Sequence, residues 1–410
     1  MRAAKILVTT IAAAMIFTGF FAIFAAAEGT SFDDAKVIGQ GTYSGMVTSD
    51  YYYKVNVPAY KAILVTLTAG NNAWVSLQIY NNERQDVGLW GHASANDGEK
   101  DYAFYDGKSV TSYAVYIKIS NLHFFTSSNY TIQIEFRPGD VMAGAQEIEP
   151  GKNISGMLKG SLEAHWYKIN VPPYKALLVT LTAKSNSEIE LELYNKNRES
   201  IGSPAYAENG GSDTTFYDAK STSSYTVYLR IANSKLSEYS GYTLRAEFRP
   251  GDVMAGAQGI SNGQTISDEI KCSFEAHWYK INVPKGKLLN VSFTSNGGEI
   301  DVTLYNSAGN VVDWKYGTKG YVNTETLGES GTIYIKVTAY EYHNTVNYTI
   351  TPHLKTGSSD VEQMSNVIAT TCLGGIIIAI VIIVLIIILI VKVSRGKKEK
   401  TQIQQPPKTP

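Results

Sequence analysis

Along Glu188–Tyr194 the chain reads E-I-E-L-E-L-Y, with polar and apolar residues in strict alternation. A period of two belongs to a strand that turns Ile189, Leu191 and Leu193 towards a core and the glutamates towards water. The alternation returns at 73–80 (AWVSLQIY) and 299–305 (EIDVTLY). Further strands are expected at YAVYIKI from Tyr113, YTVYLRI from Tyr225 and TIYIKV from Thr332, and closing strands at YTIQIEF from Tyr130, YTLRAEF from Tyr242 and YTIT from Tyr348. Each is rich in β-branched and aromatic residues and is bounded by Gly, Asn or Ser clusters. Between residues 28 and 352 no segment sustains a 3.6-residue apolar period. The expected fold class is therefore all-β, built from antiparallel two-sheet sandwiches of the jelly-roll kind.

The strands come in three sets. YYKVNVPAYKAILVTLTA at Tyr52 returns as WYKINVPPYKALLVTLTA at Trp166 and as WYKINVPKGKLLNVSFT at Trp278, and the equivalent prolines Pro58, Pro172 and Pro284 are 114 and 112 residues apart. A solenoid repeats every ~20–50 residues, so each unit here is a whole domain. The expected boundaries are 28–138, 139–250 and 251–352. The junctions are nearly identical, FRPGDVMAGAQ from Phe136 and again from Phe248. A Pro-Gly-Asp turn this short leaves little slack, which predicts a semi-rigid row.

The ends read differently. Arg2 and Lys5 precede an uncharged apolar stretch and Ala25, Ala26 and Ala27, so residues 1–27 are expected to be a secretory signal peptide, with an uncleaved anchor as the alternative. Residues 368–391 carry no charge and are dominated by isoleucine. As a helix they would span roughly 36 Å, enough to cross a bilayer. Asp360 and Glu362 precede this stretch, while Lys392, Arg395, Lys397, Lys398 and Lys400 follow it. The positive-inside rule then places the tail, 392–410, in the cytoplasm and the repeats outside, above a polar stalk at 353–367.

Charge and cysteine content sharpen this picture. The net formal charge is −1, but removing the two basic ends leaves about −8 on the repeats. That excludes nucleic acid as a partner, because its binding needs clustered Lys and Arg. The two cysteines, Cys272 and Cys372, fall on different units, so each repeat must be held by its own core. Cys272 reads as a small buried hydrophobe. A disulfide-free exterior with an isoleucine-rich anchor points to a prokaryote, and to an archaeon in particular.

The order of features resembles the bacterial and archaeal pre-peptidase C-terminal domain. An opening Ala-x-x-Ile-x-x-Gly (Ala35, Ile38, Gly41; Ala145, Ile148, Gly151; Ala257, Ile260, Gly263) precedes a W/Y-Y-K strand, an acidic strand ending in Leu-Tyr, a Y-x-hydrophobic-Tyr strand and a closing Tyr-Thr strand. The resemblance covers roughly residues 28 to 352, three times over. It implies a β-sandwich accessory to secreted proteases, without catalytic residues of its own. The departure from that pattern is that no peptidase domain precedes the repeats.

The most suggestive chemistry is E-A-H-W-Y, which pairs Glu163 with His165 and Glu275 with His277. Residues two apart in a strand share a face, yet two ligands are too few for a metal, and the first repeat has Ser49 and Tyr51 there. The simpler reading is a polar strand mouth ahead of a core entered at Tyr167 and Ile169. No G-x-S-x-G, H-E-x-x-H or phosphate loop is present, so no catalytic residue and no cofactor is assigned. Calcium is the one candidate ion, with possible oxygen ligands at Glu188, Glu190, Glu299 and Asp301, where the resembled family often carries aspartates, and at Asp140 and Asp252 in the linkers. Tyrosine is abundant, 28 residues in all. The aromatic residues Trp90, Tyr105, Tyr217, Trp314 and Tyr316, on expected loops, are candidates for ligand contact. Sequons at Asn129, Asn153, Asn290 and Asn347, in expected loops or strand ends, admit glycosylation, although chance alone gives about that number. The expectation is a non-catalytic, single-pass cell-surface binding or spacer protein whose partners are envelope glycans or proteins. The alternatives are an accessory or regulatory subunit of a separate secreted peptidase, or a carbohydrate-binding adhesin.

Overall fold

The structure, a computed structural model, describes residues 29–123, 126–159, 162–233, 239–339 and 345–356. The expected leader, apolar segment 368–391 and basic tail lie outside the described residues, as does the expected stalk beyond Thr356; its residues 353–356 instead extend the closing strand Val346–Thr356. Among the described residues, no helix is long and apolar enough to cross a membrane.

The fold is all-β, and one nine-strand arrangement occurs three times. In the second repeat, strands Gln146–Glu147, Ala164–Val171, Tyr225–Asn233, Glu188–Tyr194 and Ser200–Glu208 lie side by side in that order as a five-stranded sheet. Strands Asn153–Leu158, Ser240–Pro250, Lys175–Ala183 and Ser212–Tyr217 form a four-stranded sheet. The same orders recur among the strands from Lys36 to Pro138 and from Gln258 to Thr356. Two compact units are distinguished: the first runs to Gln258 and takes in Ile270–Trp278, and the second contains Gly259–Glu269, Tyr279–Val337 and the strand starting at Val346.

The alternation in Glu188–Tyr194 does what its period requires. Ile189, Leu191 and Leu193 are buried in one cluster with Leu177, Val179, Leu181 and Leu244, while Glu188, Glu190 and Glu192 stay half-exposed. Each such side chain contributes roughly 1.5–3 kcal/mol on burial. The two sheets are also joined by a polar bond through each core. The tyrosine just before the lysine of each W/Y-Y-K strand meets the tyrosine of the closing strand hydroxyl to hydroxyl: Tyr53 with Tyr130 at 2.5 Å, Tyr167 with Tyr242 at 2.7 Å and Tyr279 with Tyr348 at 2.6 Å. Buried tyrosines need such partners, which is why the motif keeps both.

Three expectations are corrected. The sandwiches are not wholly antiparallel, because Lys36–Ile38 pairs in parallel with Asp50–Val57, and Gln146–Glu147 with Ala164–Val171. Between the paired strands the chain crosses to the other sheet, so it re-enters the first in the same direction. Tyr105, Tyr217, Trp314 and Tyr316 are not on loops but in strands Lys100–Tyr105, Ser212–Tyr217 and Val311–Gly317, while Trp90 lies in the 3-10 turn Leu89–Gly91. Val311–Gly317 is an edge strand exposed or half-exposed along its whole length, and so lacks the alternation that betrays a half-buried strand. Asn290 sits inside strand Lys287–Asn296, where its amide donates to Asn323, whereas Asn129, Asn153 and Asn347 are exposed at or next to strand starts.

Candidate functional site

Where the first linker leaves its repeat, it folds back onto it. Gly139 N–H donates to the Tyr60 carbonyl at 2.9 Å, and the Asp106 carboxylate accepts the N–H groups of Asp140 (2.5 Å) and Lys108 (2.8 Å). Tyr60 is left-handed, with φ 62°, and Gly144 lies so close to it that an added Cβ would stand 2.7 Å from the Tyr60 Cβ. The second linker repeats this: Gly251 donates to Tyr174, itself at φ 61°, and Asp218 accepts from Asp252 and Lys220.

The linker then grips the next repeat. Arg137, from the closing strand of the first repeat, donates through Nε to Glu163 at 3.1 Å and through a second nitrogen to the Met157 carbonyl at 2.7 Å. Glu163 stands just ahead of strand Ala164–Val171 with its side chain fully buried. It also bonds His165 Nε2 at 2.8 Å and accepts the Lys159 N–H at 2.7 Å. His165 Nδ1 meets the Tyr242 hydroxyl at 2.5 Å, so the chain of bonds runs from the linker arginine into the tyrosine pair of the core. Burial alone would raise the Glu163 carboxyl, but the His165 bond, the Arg137 charge and the Lys159 amide outweigh it and hold the group below its ordinary value. The Glu–His pair, expected as a polar strand mouth ahead of the core, is itself buried, at Glu163 and His165 and again at Glu275 and His277.

Three residues on, Asp140 accepts from Trp166 Nε1 at 2.7 Å, from Arg230 through two nitrogens at 3.0 and 3.1 Å, and from Lys108 at 3.1 Å. Burial pushes its carboxyl up, yet the Arg230 guanidinium, then Trp166 and Lys108, hold it at about 2. Lys159 closes the rim on Glu135 at 2.6 Å. At the second linker Arg249 bonds Glu275 at 2.7 Å, Glu275 bonds His277 and accepts the Lys271 N–H, Trp278 and Lys220 donate to Asp252, and Lys271 pairs with Glu247. Cys272, half-buried beside it, has its thiol raised to about 11 by burial and by Glu275, so it is protonated at neutral pH.

Chemically these groups clasp one another. Among the described residues, no buried side-chain nitrogen or oxygen lacks a partner, and no group of three or more His, Cys, Asp or Glu is gathered as a metal would require. The calcium candidates are scattered. Asp140 and Asp252 face cationic and indole donors, Glu190 accepts the Tyr206 hydroxyl at 2.8 Å, Asp301 accepts Thr303, and Glu188 and Glu299 are half-exposed. Of the aromatic candidates, the structure brings Trp90 and Tyr105 together, in a groove of about 480 Å³ that Asp140, Glu190 and Arg230 also line. Tyr217 packs edge-on against Tyr225, and Trp314 and Tyr316 are exposed on their edge strand. The sequence reading missed Arg137 and Arg249. The available signal was that E-x-H occurs only in the two repeats that follow an F-R-P-G-D linker.

The model of the bacterial pre-peptidase C-terminal domain matches residues 275–339. The match begins on the clasp glutamate and ends with strand Gly331–Ala339, so it lies within the third repeat. Among curated proteins, none matches the chain. Among solved structures, the pre-peptidase C-terminal domain of a collagenase from Bacillus anthracis is 14% identical, over 24% of this chain and 92% of that one, with a TM-score of 0.20. A triple jelly-roll protein of the turret of an archaeal virus is 11% identical over 76% and 84%, with a TM-score of 0.18. A CBM22 tandem from Xyn10C of Paenibacillus barcinonensis is 9% identical over 50% and 92%, with a TM-score of 0.17.

Proposed function

We propose that the chain is a non-catalytic cell-surface spacer and binding protein, whose three pre-peptidase-like sandwiches lie outside a membrane that the segment 368–391 crosses. The observation that carries this is the clasp. In both linkers the acidic, imidazole and guanidinium groups that would otherwise suggest chemistry are saturated by one another, and at the first linker they join it to the sandwich that follows. The apolar ends and the basic tail support the topology, and the pre-peptidase match supports the absence of catalysis. The test of topology is protease added to intact cells, which should remove all three repeats and spare the tail; repeats that stay protected refute it. The test of the spacer role is the distance between spin labels on the first two repeats of the full chain. A narrow distribution that broadens in Arg137→Ala is expected, and a broad one in the unaltered chain refutes the role.

The match also supports a second reading, an accessory subunit of a separate surface peptidase. That reading requires the full chain to capture a co-expressed peptidase and to change its turnover. Purified chain should itself hydrolyse neither peptides nor glycans; turnover abolished by His165→Ala or His277→Ala would overturn the non-catalytic proposal.

A further inference from the structure

The groove beside the first clasp is built from both flanking repeats, with Trp90 and Tyr105 on one side and Leu162, Glu190 and Asn233 on the other. Its volume of about 480 Å³ is in the range of small-molecule sites, ~300–1,000 Å³, and its lining mixes aromatic rings with a few polar groups. Trp90 is 38% exposed, and among the described residues neither its indole N–H nor the Tyr105 hydroxyl is bonded to the protein. An indole N–H can only donate, so a ligand that engages it presents an acceptor, which a bare cation cannot do. Anionic acceptors are disfavoured too, because the cations along the wall, Lys108 and Arg230, are already paired with Asp140, while Asp106 and Glu190 add further carboxylates. What remains is a neutral acceptor with an apolar face to lie on the rings, which describes a sugar with its hydroxyl edge and C–H face.

We infer that this groove binds a short stretch of neutral glycan, with Trp90 as the stacking platform and Tyr105 as the hydroxyl partner. The inference deepens the binding role proposed above and rests on it, since the groove exists only while the clasp holds the first two repeats together. The test is calorimetric titration of the full chain with neutral hexasaccharides of β-1,4-linked glucose, β-1,4-linked N-acetylglucosamine and α-1,6-linked mannose. A galacturonic acid hexamer and a proline-rich peptide serve as rival probes. At least one neutral hexasaccharide should bind, Trp90→Ala and Tyr105→Ala should each weaken it at least about tenfold, and Leu89→Ala, next to Trp90 but outside the groove, should leave it unchanged. No binding by any neutral hexasaccharide, tighter binding of either rival probe, or unchanged binding in Trp90→Ala would overturn the inference. The spin-label distance between the repeats separates the two proposals. A narrow distance without glycan binding sinks only the groove, whereas a broad distance sinks the spacer reading.

Discussion

Replacing Glu163 by alanine removes one acceptor from three donors at once: the Arg137 guanidinium, the His165 imidazole and the Lys159 amide. Each charge-assisted bond contributes ~1.5–3 kcal/mol and a neutral one about 1. The loss is smaller than their sum, because Arg137 is 18% exposed and regains water, and His165 keeps Tyr242. The expected cost is about 3 kcal/mol, the lower end for breaking a buried pair from one side. With several sandwiches in one chain a single unfolding midpoint is ill-defined, so the assay is amide hydrogen exchange of the full chain read on individual strands. Exchange in Ala164–Val171 should accelerate about 100-fold, the equivalent of ~3 kcal/mol. Glu275→Ala should do the same to Ala276–Val283 and leave Ala164–Val171 alone. Acceleration below about fivefold in Glu163→Ala would mean that the clasp is a surface decoration and would refute the reasoning.

Acid should weaken the clasp in a defined direction. Asp140 is held at about 2 against an ordinary 3.8, so its stabilisation is complete above pH 3.8 and is lost as the pH falls through about 2. It amounts to about 2 kcal/mol, which Asp140→Asn should remove from the acid limb of the stability profile; an acid midpoint identical to that of the unaltered chain refutes this. Glu163, also depressed, adds in the same sense. Gly144→Ala drives a Cβ into the body of Tyr60 rather than into a flexible tip, and should cost about 1–3 kcal/mol by differential scanning calorimetry, with an unchanged transition counting against the tight turn. Millimolar calcium or a chelator should move no calorimetric transition by more than about 1 °C, because the linker aspartates are already neutralised by cations; a rise of several degrees would show a site that binds only the folded state.

The strands that face a core on one side announce themselves, because burial of one face imposes a period of two on the residues themselves. Ile189, Leu191 and Leu193, and their equivalents in the other repeats, are of this kind, as are the tyrosine motifs at Tyr167 and Tyr242. Edge strands such as Val311–Gly317 have no buried face to impose a pattern and were read as loops. The parallel opening strand was hidden for another reason: strand direction depends on which sheet the intervening segment joins, and no local residue records that choice. The clasp shows the same division most clearly. Glu163 and His165 stood out in the sequence as a pair, but their partner Arg137 lies 26 residues earlier than Glu163, in what looked like the last turn of another domain. Sequence alone determined that the fold would be all-β and which alternating residues would be buried, since hydrophobic burial is read from composition and period. Whether a buried carboxylate becomes a ligand, a base or half of an ion pair depends on which charge the folded chain brings within about 3 Å of it, and only the tertiary structure decided that.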